Sequence, residues 1–504
     1  MYGNRLTVST VLMASVFWAS APPPARAATA EEQPDLQAVM AAMQRLRQEV
    51  DELRAQQDQQ WLNERRAEEV KTLIRDVLSD ADTRASLLEE GMTGGHNGKR
   101  FFLSSSDGSF LLTIAGQIQF RYIASFQDRR PVLNDDDEEI TVVDDEGEGG
   151  FVIRRAKIEF AGHIGEPRLK YAIQIAVDRS SNSVLSDKIV ISYDLADNLT
   201  LWGGEDKAPF LREELTSSKR QLAVERSYVN EIFTIDKAQG VGLRWKGDSA
   251  RTHVMINDGY KSGDAGTKQF PFTQSSDSQT PVDEDGAPLL DDDDNEINLA
   301  RSSVSKDFND DQTDFAITAR AEMKLAGDWK QMKDFAAWEG EEFGAFVGAA
   351  VHYEVGETGD SSFNNNFVSW TVDGSIESAG LNAYAAVMGS HIDLEHENQV
   401  LGKDYDLIAF LVQAGYMVVP NTLEPFVRYE YIDFDDALGS DFDEVSIITA
   451  GVNTYFTKHN AKFTLDAVWA LDPIPVREEG LGLQQDDPGG DGQIVLRAQF
   501  QLLF

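Results

Sequence analysis

Apolar and polar residues alternate along many short stretches in the second part of the chain. Ile118 and Phe120 alternate with Gln119 and Arg121, and the same two-residue period runs through the final stretch, 493–504. Successive side chains of a β-strand point to opposite faces, so this period is typical of strands with one apolar and one polar face. The pattern predicts strands that separate lipid from water.

Short turns and long loops connect these predicted strands in alternation. The sequence predicts short turns at 165–167, 196–198, 246–249, 420–422 and 458–460, and long loops at 128–150, 180–186, 207–238, 261–312, 357–364, 394–404, 435–443 and 473–491. Eight long loops imply sixteen strands, and short turns on one side with long loops on the other are typical of outer-membrane barrels. A β-sandwich would not require so regular an asymmetry. We therefore predict an all-β fold, a 16-stranded antiparallel transmembrane β-barrel over residues 109–504, with an N-terminal α-helical coiled-coil stalk.

The first 27 residues, 1–27, have the features of a secretory signal peptide. Arg5 precedes an apolar stretch at 6–19, and Ala25-Arg26-Ala27 forms a cleavage site of the A-x-A type. A buried helix is the alternative interpretation. Export places the following residues outside the cytoplasm, and we expect the protein in the outer membrane of a Gram-negative cell with its stalk in the periplasm.

Residues 28–90 follow a helical period instead. Met43, Leu46 and Val50 are separated by three and four residues, a spacing that forms the seam of a coiled coil. We predict an oligomerising periplasmic stalk, and a single solvated helix is the alternative. Residues 91–108 contain several glycines and are predicted to form a Gly-rich linker.

Composition narrows the classes of function. The chain has 504 residues, no cysteine and a formal net charge of −41. The lack of cysteine excludes disulfides, thiolate metal sites and cysteine nucleophiles, and the negative charge argues against nucleic acid as a partner. The sequence contains no G-x-S-x-G, H-E-x-x-H or P-loop motif, so we predict that the protein is not an enzyme and holds no firmly bound cofactor.

Much of the negative charge lies in runs of Asp and Glu within the predicted long loops. These runs occupy 134–139, 144–148, 283–285 and 291–296. Carboxylate oxygens at this density are candidate ligands for loosely bound calcium. Solvated charged loops are the alternative interpretation.

One long loop is basic rather than acidic. A strand-like stretch ends at Gly203-Gly204, and the residues that follow cannot continue it as a strand. A basic loop in an acidic protein is best explained by contact with an anion. The basic residues of this loop are Lys207, Arg212, Lys219, Arg220 and Arg226.

The same loop resembles the phosphate-selective porin O and P family. The shared pattern is G-x-x-K-x-P-F-x-x-E-E-L-T-S-S from Gly204 to Ser218, with Glu225-Arg226-Ser227 following, and Arg154-Arg155-Ala156 resembles the family's R-R-A motif. The resemblance implies a barrel whose loop folds inward and lines the narrowest part, with arginines that belong to an anion-conducting ladder. It also implies that a C-terminal aromatic residue is recognised during outer-membrane assembly. The acidity of the chain, and GGED in place of the usual G-Q-F, make the fold a firmer expectation than a preference for phosphate.

The polar faces of the predicted strands carry basic residues that would line the lumen. Acidic residues share these faces, and mixed charges across a lumen create a transverse field. Alternation turns Arg155 inward, whereas Arg154 would reach the lumen only through a local bulge or would lie at the outer rim. The inward-facing basic series is Arg121, Arg155, Lys157, Lys170, Arg244, Arg320, Arg428, Lys462 and Arg497. The predicted anion-binding constriction comprises Lys207, Arg212, Lys219, Arg220, Arg121, Arg154 and Arg155.

Two functions from different classes fit these predictions. The first is a homotrimeric outer-membrane porin for passive diffusion of small anions, with phosphate and polyphosphate as candidates, through a lumen constricted by the basic loop. The second is a structural anchor, in which lipid holds the barrel, the coiled coil contacts peptidoglycan, and the acidic loops bind a calcium-dependent surface layer. The basic lumen and loop favour the porin, because rings of Arg and Lys make anion pores.

Overall fold

The computed structural model divides the chain into two units, 1–87 and 88–504. Within the first unit only 44–45 and 47–48 are described, and they are helical; the predicted signal peptide and nearly all of the predicted coiled coil lie outside the described residues. The second unit contains the barrel. Its described residues are 91–127 except 99, 132–133, 139–140, 147–178, 183–259, 313–357, 364–398, 402–434, 444–478, 480–484, 486 and 492–504.

Twenty strands occur in the described part of the second unit. They are β1 Met92–His96, β2 Phe101–Ser105, β3 Phe110–Phe126, β4 Val132–Leu133, β5 Glu139–Ile140, β6 Glu148–Ile164, β7 Leu169–Asp178, β8 Ser183–Ala196, β9 Leu199–Lys207, β10 Lys237–Lys246, β11 Ala250–Asn257, β12 Thr313–Ala326, β13 Gly344–Glu357, β14 Asn364–Ser378, β15 Leu381–Asn398, β16 Gly402–Tyr416, β17 Leu423–Asp433, β18 Glu444–Thr457, β19 Ala461–Ala470 and β20 Ile494–Leu503.

Sixteen of these strands, β3 and β6 to β20, close into one antiparallel barrel. Each pairs with the next along the chain, and the last strand returns to the first with Phe500 opposite Phe120. This closure confirms the predicted strand number and leaves no open edge in the barrel wall. The last residue contributes to the seam, because the backbone N–H of Gly116 donates to the carbonyl of Phe504 at 2.7 Å. The ring of Phe504 also covers Gly116, where a Cβ atom would clash with it.

The predicted Gly-rich linker is instead partly strand. β1 and β2 form a hairpin, and β2 pairs with the start of β3, with Phe101 opposite Ile114. Gly94 and Gly95 lie in the extended strand opposite Leu103 and Phe102, where little room remains for a side chain. The glycines therefore permit a close approach to the partner strand, which the linker prediction did not consider.

The two faces of the wall differ as the alternation predicted. On β3, the side chains of Ile118 and Phe120 are 43% and 46% exposed, whereas Gln119 and Arg121 are fully buried in the interior. An apolar band on the outside is what a lipid-facing barrel surface requires. Among the described residues, no helix is both long enough and apolar enough to span a membrane.

The connections follow the predicted alternation of short turns and long loops. The eight connections predicted to be long all join strands at one end of the barrel, which we call the long-loop end, and the opposite end is the short-turn end. Two of the eight are shorter than predicted, with four residues between β7 and β8 and three between β15 and β16. At the short-turn end, one connection is long. Residues 327–343, between β12 and β13, form a 17-residue segment at the short-turn end and contain a 3₁₀ turn, Gln331–Lys333.

The inward loop, 208–236, fills much of the lumen on one side. It contains a helical turn α1, Arg212–Leu215, a 3₁₀ turn, Ser218–Arg220, and a second short helix α2, Tyr228–Phe233. Ser227 caps α2 by accepting a hydrogen bond from the Asn230 N–H at 2.9 Å. Most of the loop is buried, including Leu222 and Val229, so it is packed as a core element rather than as a solvated loop.

Candidate anion passage

Side chains of the barrel wall hold the backbone of the inward loop. Asn453 donates to the Leu222 carbonyl at 2.8 Å, and Lys462 donates to the Gln221 carbonyl at the same distance. Further bonds of this kind run from Arg428 to the Glu225 carbonyl at 3.0 Å and from the Val224 N–H to Asp466 at 2.9 Å. The backbone N–H and C=O groups of a buried loop need hydrogen-bond partners. Several lumen-facing polar residues therefore bind the loop.

The motif shared with the porin family forms the internal framework of this loop. Glu214 pairs with Lys207 at 2.6 Å and with Arg226 at 3.0 Å. Glu213 accepts a hydrogen bond from the Ser227 N–H at 3.0 Å. These contacts join the start of the motif to Arg226-Ser227 at its end and fix the fold of the loop.

Glu225 joins the loop to three arginines of the wall. Its carboxylate lies 2.6 Å from Arg155, 2.9 Å from Arg121 and 3.0 Å from Arg154. Both Arg154 and Arg155 reach it because β6 has a bulge: Gln119 pairs with Arg155, the next residue of β3 pairs with Ile153, and Arg154 is skipped. The bulge is one of the two alternatives that the sequence left open for Arg154.

The three arginines of this cluster favour the ionised form of the Glu225 carboxylate. Burial alone would raise the pKa of Glu225, but the three guanidinium groups, Arg155 foremost, hold that pKa well below its usual range. Bidentate bonds from Arg155 to both carboxylate oxygens, at 2.6 and 2.9 Å, fix the geometry. The cluster therefore acts as an ionic anchor for the loop.

Two adjoining cavities lie between the inward loop and the opposite wall. The long-loop cavity has a volume of about 740 Å³ and is bounded by β6, β8, the start of the loop and Glu478. The short-turn chamber has a volume of about 410 Å³ and is bounded by β10, β11, β12 and the segment 327–343. Leu215 and Ser217 line both, so the two cavities follow one course along the loop.

Charge differs sharply between the two cavities. Eight basic and seven acidic side chains line the long-loop cavity. Many of them are paired: Asp187 bridges Lys157 at 2.6 Å and Lys237 at 3.1 Å, and Asp206 bridges Lys188 at 2.8 Å and Arg244 at 2.9 Å. The cavity is therefore close to neutral.

The short-turn chamber is strongly basic. Glu322 is the one carboxylate among the described residues that line it, and it is bound by Arg251 and by Arg320 at 2.8 Å. The side chains of Arg220, Lys246 and Lys333 form no ion pair within the described parts of the chain. The basic residues that line the chamber are Arg212, Arg220, Arg244, Lys246, Arg251, Arg320 and Lys333.

The structure distributes the predicted constriction residues over three environments. Arg121, Arg154 and Arg155 bind Glu225, and of these only Arg154 is substantially exposed, at 34% of its side chain. Lys207 and Lys219 line the long-loop cavity, with Lys207 paired to Glu214.

Arg212 and Arg220 lie in the short-turn chamber, but in different settings. Arg212 is buried, with its guanidinium 5.4 Å from the ring centres of both Phe335 and Tyr384. Its Nη1 donates to Ser375, whereas Nε and Nη2 have no hydrogen-bond partner among the described residues. Arg220 is half-buried on the surface of the loop. The predicted set is therefore not one cluster.

Sequence reasoning missed three basic residues of the chamber. Lys246 and Arg251 face each other across the hairpin of β10 and β11, and Lys246 has the same strand parity as Arg244. This alternation could have identified both residues. Lys333 carries no such signal, because its position depends on how the segment 327–343 folds.

The closed wall, the apolar exterior and the inward loop together define a porin-type β-barrel. The chain matches the family model of the phosphate-selective porin O and P over residues 132–288, a segment that includes both motifs quoted above. This match confirms the resemblance over that segment. No curated protein matches the chain.

Solved structures with a similar fold include several outer-membrane channels. The outer membrane channel DcaP of Acinetobacter baumannii has 12% identity and a TM-score of 0.47, covering 79% of this chain and 99% of that one. An anion-selective porin from Comamonas acidovorans has 11% identity and a TM-score of 0.46, covering 78% and 100%. OmpT of Vibrio cholerae, in a trimer form, has 10% identity and a TM-score of 0.46, covering 78% and 99%.

Proposed function

We propose that the protein is an outer-membrane porin that lets small anions diffuse passively through the passage beside the inward loop. The observation that carries this proposal is the short-turn chamber, where Arg220, Lys246 and Lys333 have no acidic partner among the described residues, whereas Arg244, Arg251 and Arg320 are paired with carboxylates. Cations that line a narrow aqueous neck attract anions and repel cations. The long loops face the outside of the cell and the short turns face the periplasm, as in other bacterial barrels.

The strong negative charge of the whole chain does not contradict an anion pore. By sequence, most acidic runs belong to connections that leave the barrel at the long-loop end, and the Debye length is about 8 Å at physiological ionic strength. Charges that line the chamber act at contact distance, where one unit charge at 4 Å contributes about 1 kcal/mol even in water. The charge nearest the ion therefore decides selectivity.

Phosphate and polyphosphate are the anions we propose first, because the matched segment carries the loop motif of phosphate-selective porins. Arginine suits such anions, since its planar donors fit oxyanion geometry. We also propose a homotrimer, with the coiled-coil seam of residues 28–90 holding the protomers together.

Reversal potentials in a KCl gradient across a planar bilayer test the proposal. At about 0.15 M salt, where outer charges are screened beyond about 8 Å, we expect the sign of an anion-selective pore. Added phosphate should reduce the chloride current if the preference for phosphate holds. A cation-selective reversal potential would overturn the proposal of an anion porin. A chloride current that does not change when phosphate is added would overturn only the proposed preference for phosphate.

A further inference from the structure

The connection 327–343 is a second element that folds into the lumen, from the end opposite the inward loop. Trp329, Met332, Phe335 and Trp338 are all buried, although a connection at this end would ordinarily lie in solvent. A hydrogen bond links two parts of the segment, because the side chain of Gln331 donates to the Glu342 carbonyl at 2.9 Å. The segment is therefore a packed part of the barrel interior.

Contacts with the wall fix the position of this segment. The ring of Trp338 meets Tyr455 at 4.9 Å and His459 at 5.3 Å between ring centres, both edge to face. Asp334 lies 3.2 Å from Nε2 of His459, and Phe335 packs on Tyr384 at 5.0 Å. These contacts hold the part of the segment that follows the 3₁₀ turn carrying Lys333.

The segment brings cationic and aromatic groups to the short-turn chamber. Met332 and Lys333 line it directly, and the ring of Trp329 lies 4.4 Å from the guanidinium of Arg251. Partial burial, together with the charges of Arg220, Lys246, Arg251 and Lys330, lowers the pKa of Lys333. Lys333 therefore lies within reach of cations from the inward loop, β10 and β11 as well as from its own segment.

We infer that the segment 327–343 forms the second half of the selectivity site, and that Lys333 on this segment and Arg220 on the inward loop together select the anion at the short-turn end. The inference rests on the proposed anion porin and adds where its selection takes place. Lys333 contacts the passing anion. Trp338 is a positioning residue, because it holds the segment against the wall without lining the chamber.

The absence of cysteine from the chain allows a direct test. A Lys333→Cys variant carries a single thiol, which can be modified during bilayer recording by an anionic or a cationic methanethiosulfonate reagent. Lys330→Cys is the matched control, since Lys330 is exposed on the same segment but does not line the chamber. We expect the ratio of the anionic to the cationic reaction rate to be about thirtyfold higher at position 333 than at position 330, because one close charge speeds the anionic reaction about fivefold and slows the cationic reaction by the same factor.

Attachment of the anionic group at position 333 should also lower anion selectivity, and attachment at position 330 should leave it nearly unchanged. Equal rate ratios at the two positions, with an unchanged reversal potential, would overturn the inference while the wild-type pore remains anion-selective. A cation-selective wild-type pore would instead overturn the proposed function itself.

The positioning role of Trp338 has its own readout. In the Lys333→Cys background, Trp338→Ala should reduce the rate ratio towards that of position 330, and Trp338→Phe should preserve it, because a smaller ring still packs against Tyr455. A gel shift between heated and unheated protein checks that each barrel is folded. A folded Trp338→Ala protein with an unchanged rate ratio would exclude this role.

Discussion

The two cavities beside the inward loop contain similar numbers of basic side chains but differ in how these are paired. In the long-loop cavity, the eight basic side chains lie beside seven acidic ones, and Asp187 and Asp206 form ion pairs with lysines of the wall. In the short-turn chamber, Arg220, Lys246 and Lys333 have no acidic partner in the described parts of the chain. The comparison teaches that cations in ion pairs stabilise the packing of the wall and the loop, whereas cations without acidic partners determine the electrostatic potential that a passing ion meets.

The largest expected effect concerns the ionic anchor that joins the inward loop to the wall. Glu225→Gln removes the carboxylate that binds Arg121, Arg154 and Arg155, and breaking a buried ion pair from one side costs about 3–5 kcal/mol. We expect a lower midpoint for unfolding in lipid vesicles and a larger, noisier single-channel conductance.

Glu159→Gln is the control for this variant. Glu159 pairs with Arg100 at 2.7 Å, and that arginine is 38% exposed, so the loss should be about 0–1 kcal/mol. If the two variants unfold at the same midpoint and conduct alike, Glu225 is not the anchor of the loop.

An intermediate effect is expected from removing one cation in each cavity. Arg220→Gln should reduce the ratio of chloride to potassium permeability by about thirtyfold, because one close charge contributes about 1 kcal/mol in water to each ion, with opposite sign for chloride and potassium. Lys157→Gln removes a cation at the long-loop end, where Asp187 keeps Lys237 as a partner, and should change the ratio much less. A larger effect of Lys157→Gln would reverse the comparison between the cavities.

The smallest expected effect is on pH dependence. The pKa of Lys333 is lowered, so this side chain loses its positive charge at a lower pH than an ordinary lysine as the pH rises. Anion selectivity should therefore begin to fall on the alkaline side below the ordinary lysine pKa of about 10.4. Lys333→Arg keeps its charge throughout and should retain selectivity there. Identical alkaline profiles for the two proteins would show that Lys333 does not titrate in the chamber.

The sequence by itself determined the wall of the barrel. A two-residue period is a local property, and turn residues mark where it stops, so the sixteen strands could be predicted, whereas the connections after β7 and β15 are shorter than predicted because the strands extend further. The loop motif predicted an element that lines the narrowest part of the lumen; residues 208–236 are packed against the wall, and their role as a constriction stays a prediction. The predicted linker failed because glycine permits both flexible chain and closely packed strand, and only the partner strand distinguishes them.

Only the tertiary structure decided which cations are available to an anion. Arg121 and Arg155 face inward as alternation predicted, but Glu225, 104 residues from Arg121 along the chain, binds both. Lys333 shows the opposite case, because no periodic pattern marks it and the folding of 327–343 brings it to the chamber. Alternation fixes the side of the wall on which a charge lies, because it depends on neighbours in sequence. Pairing depends on contacts between distant segments, which form only when the barrel closes around its loop.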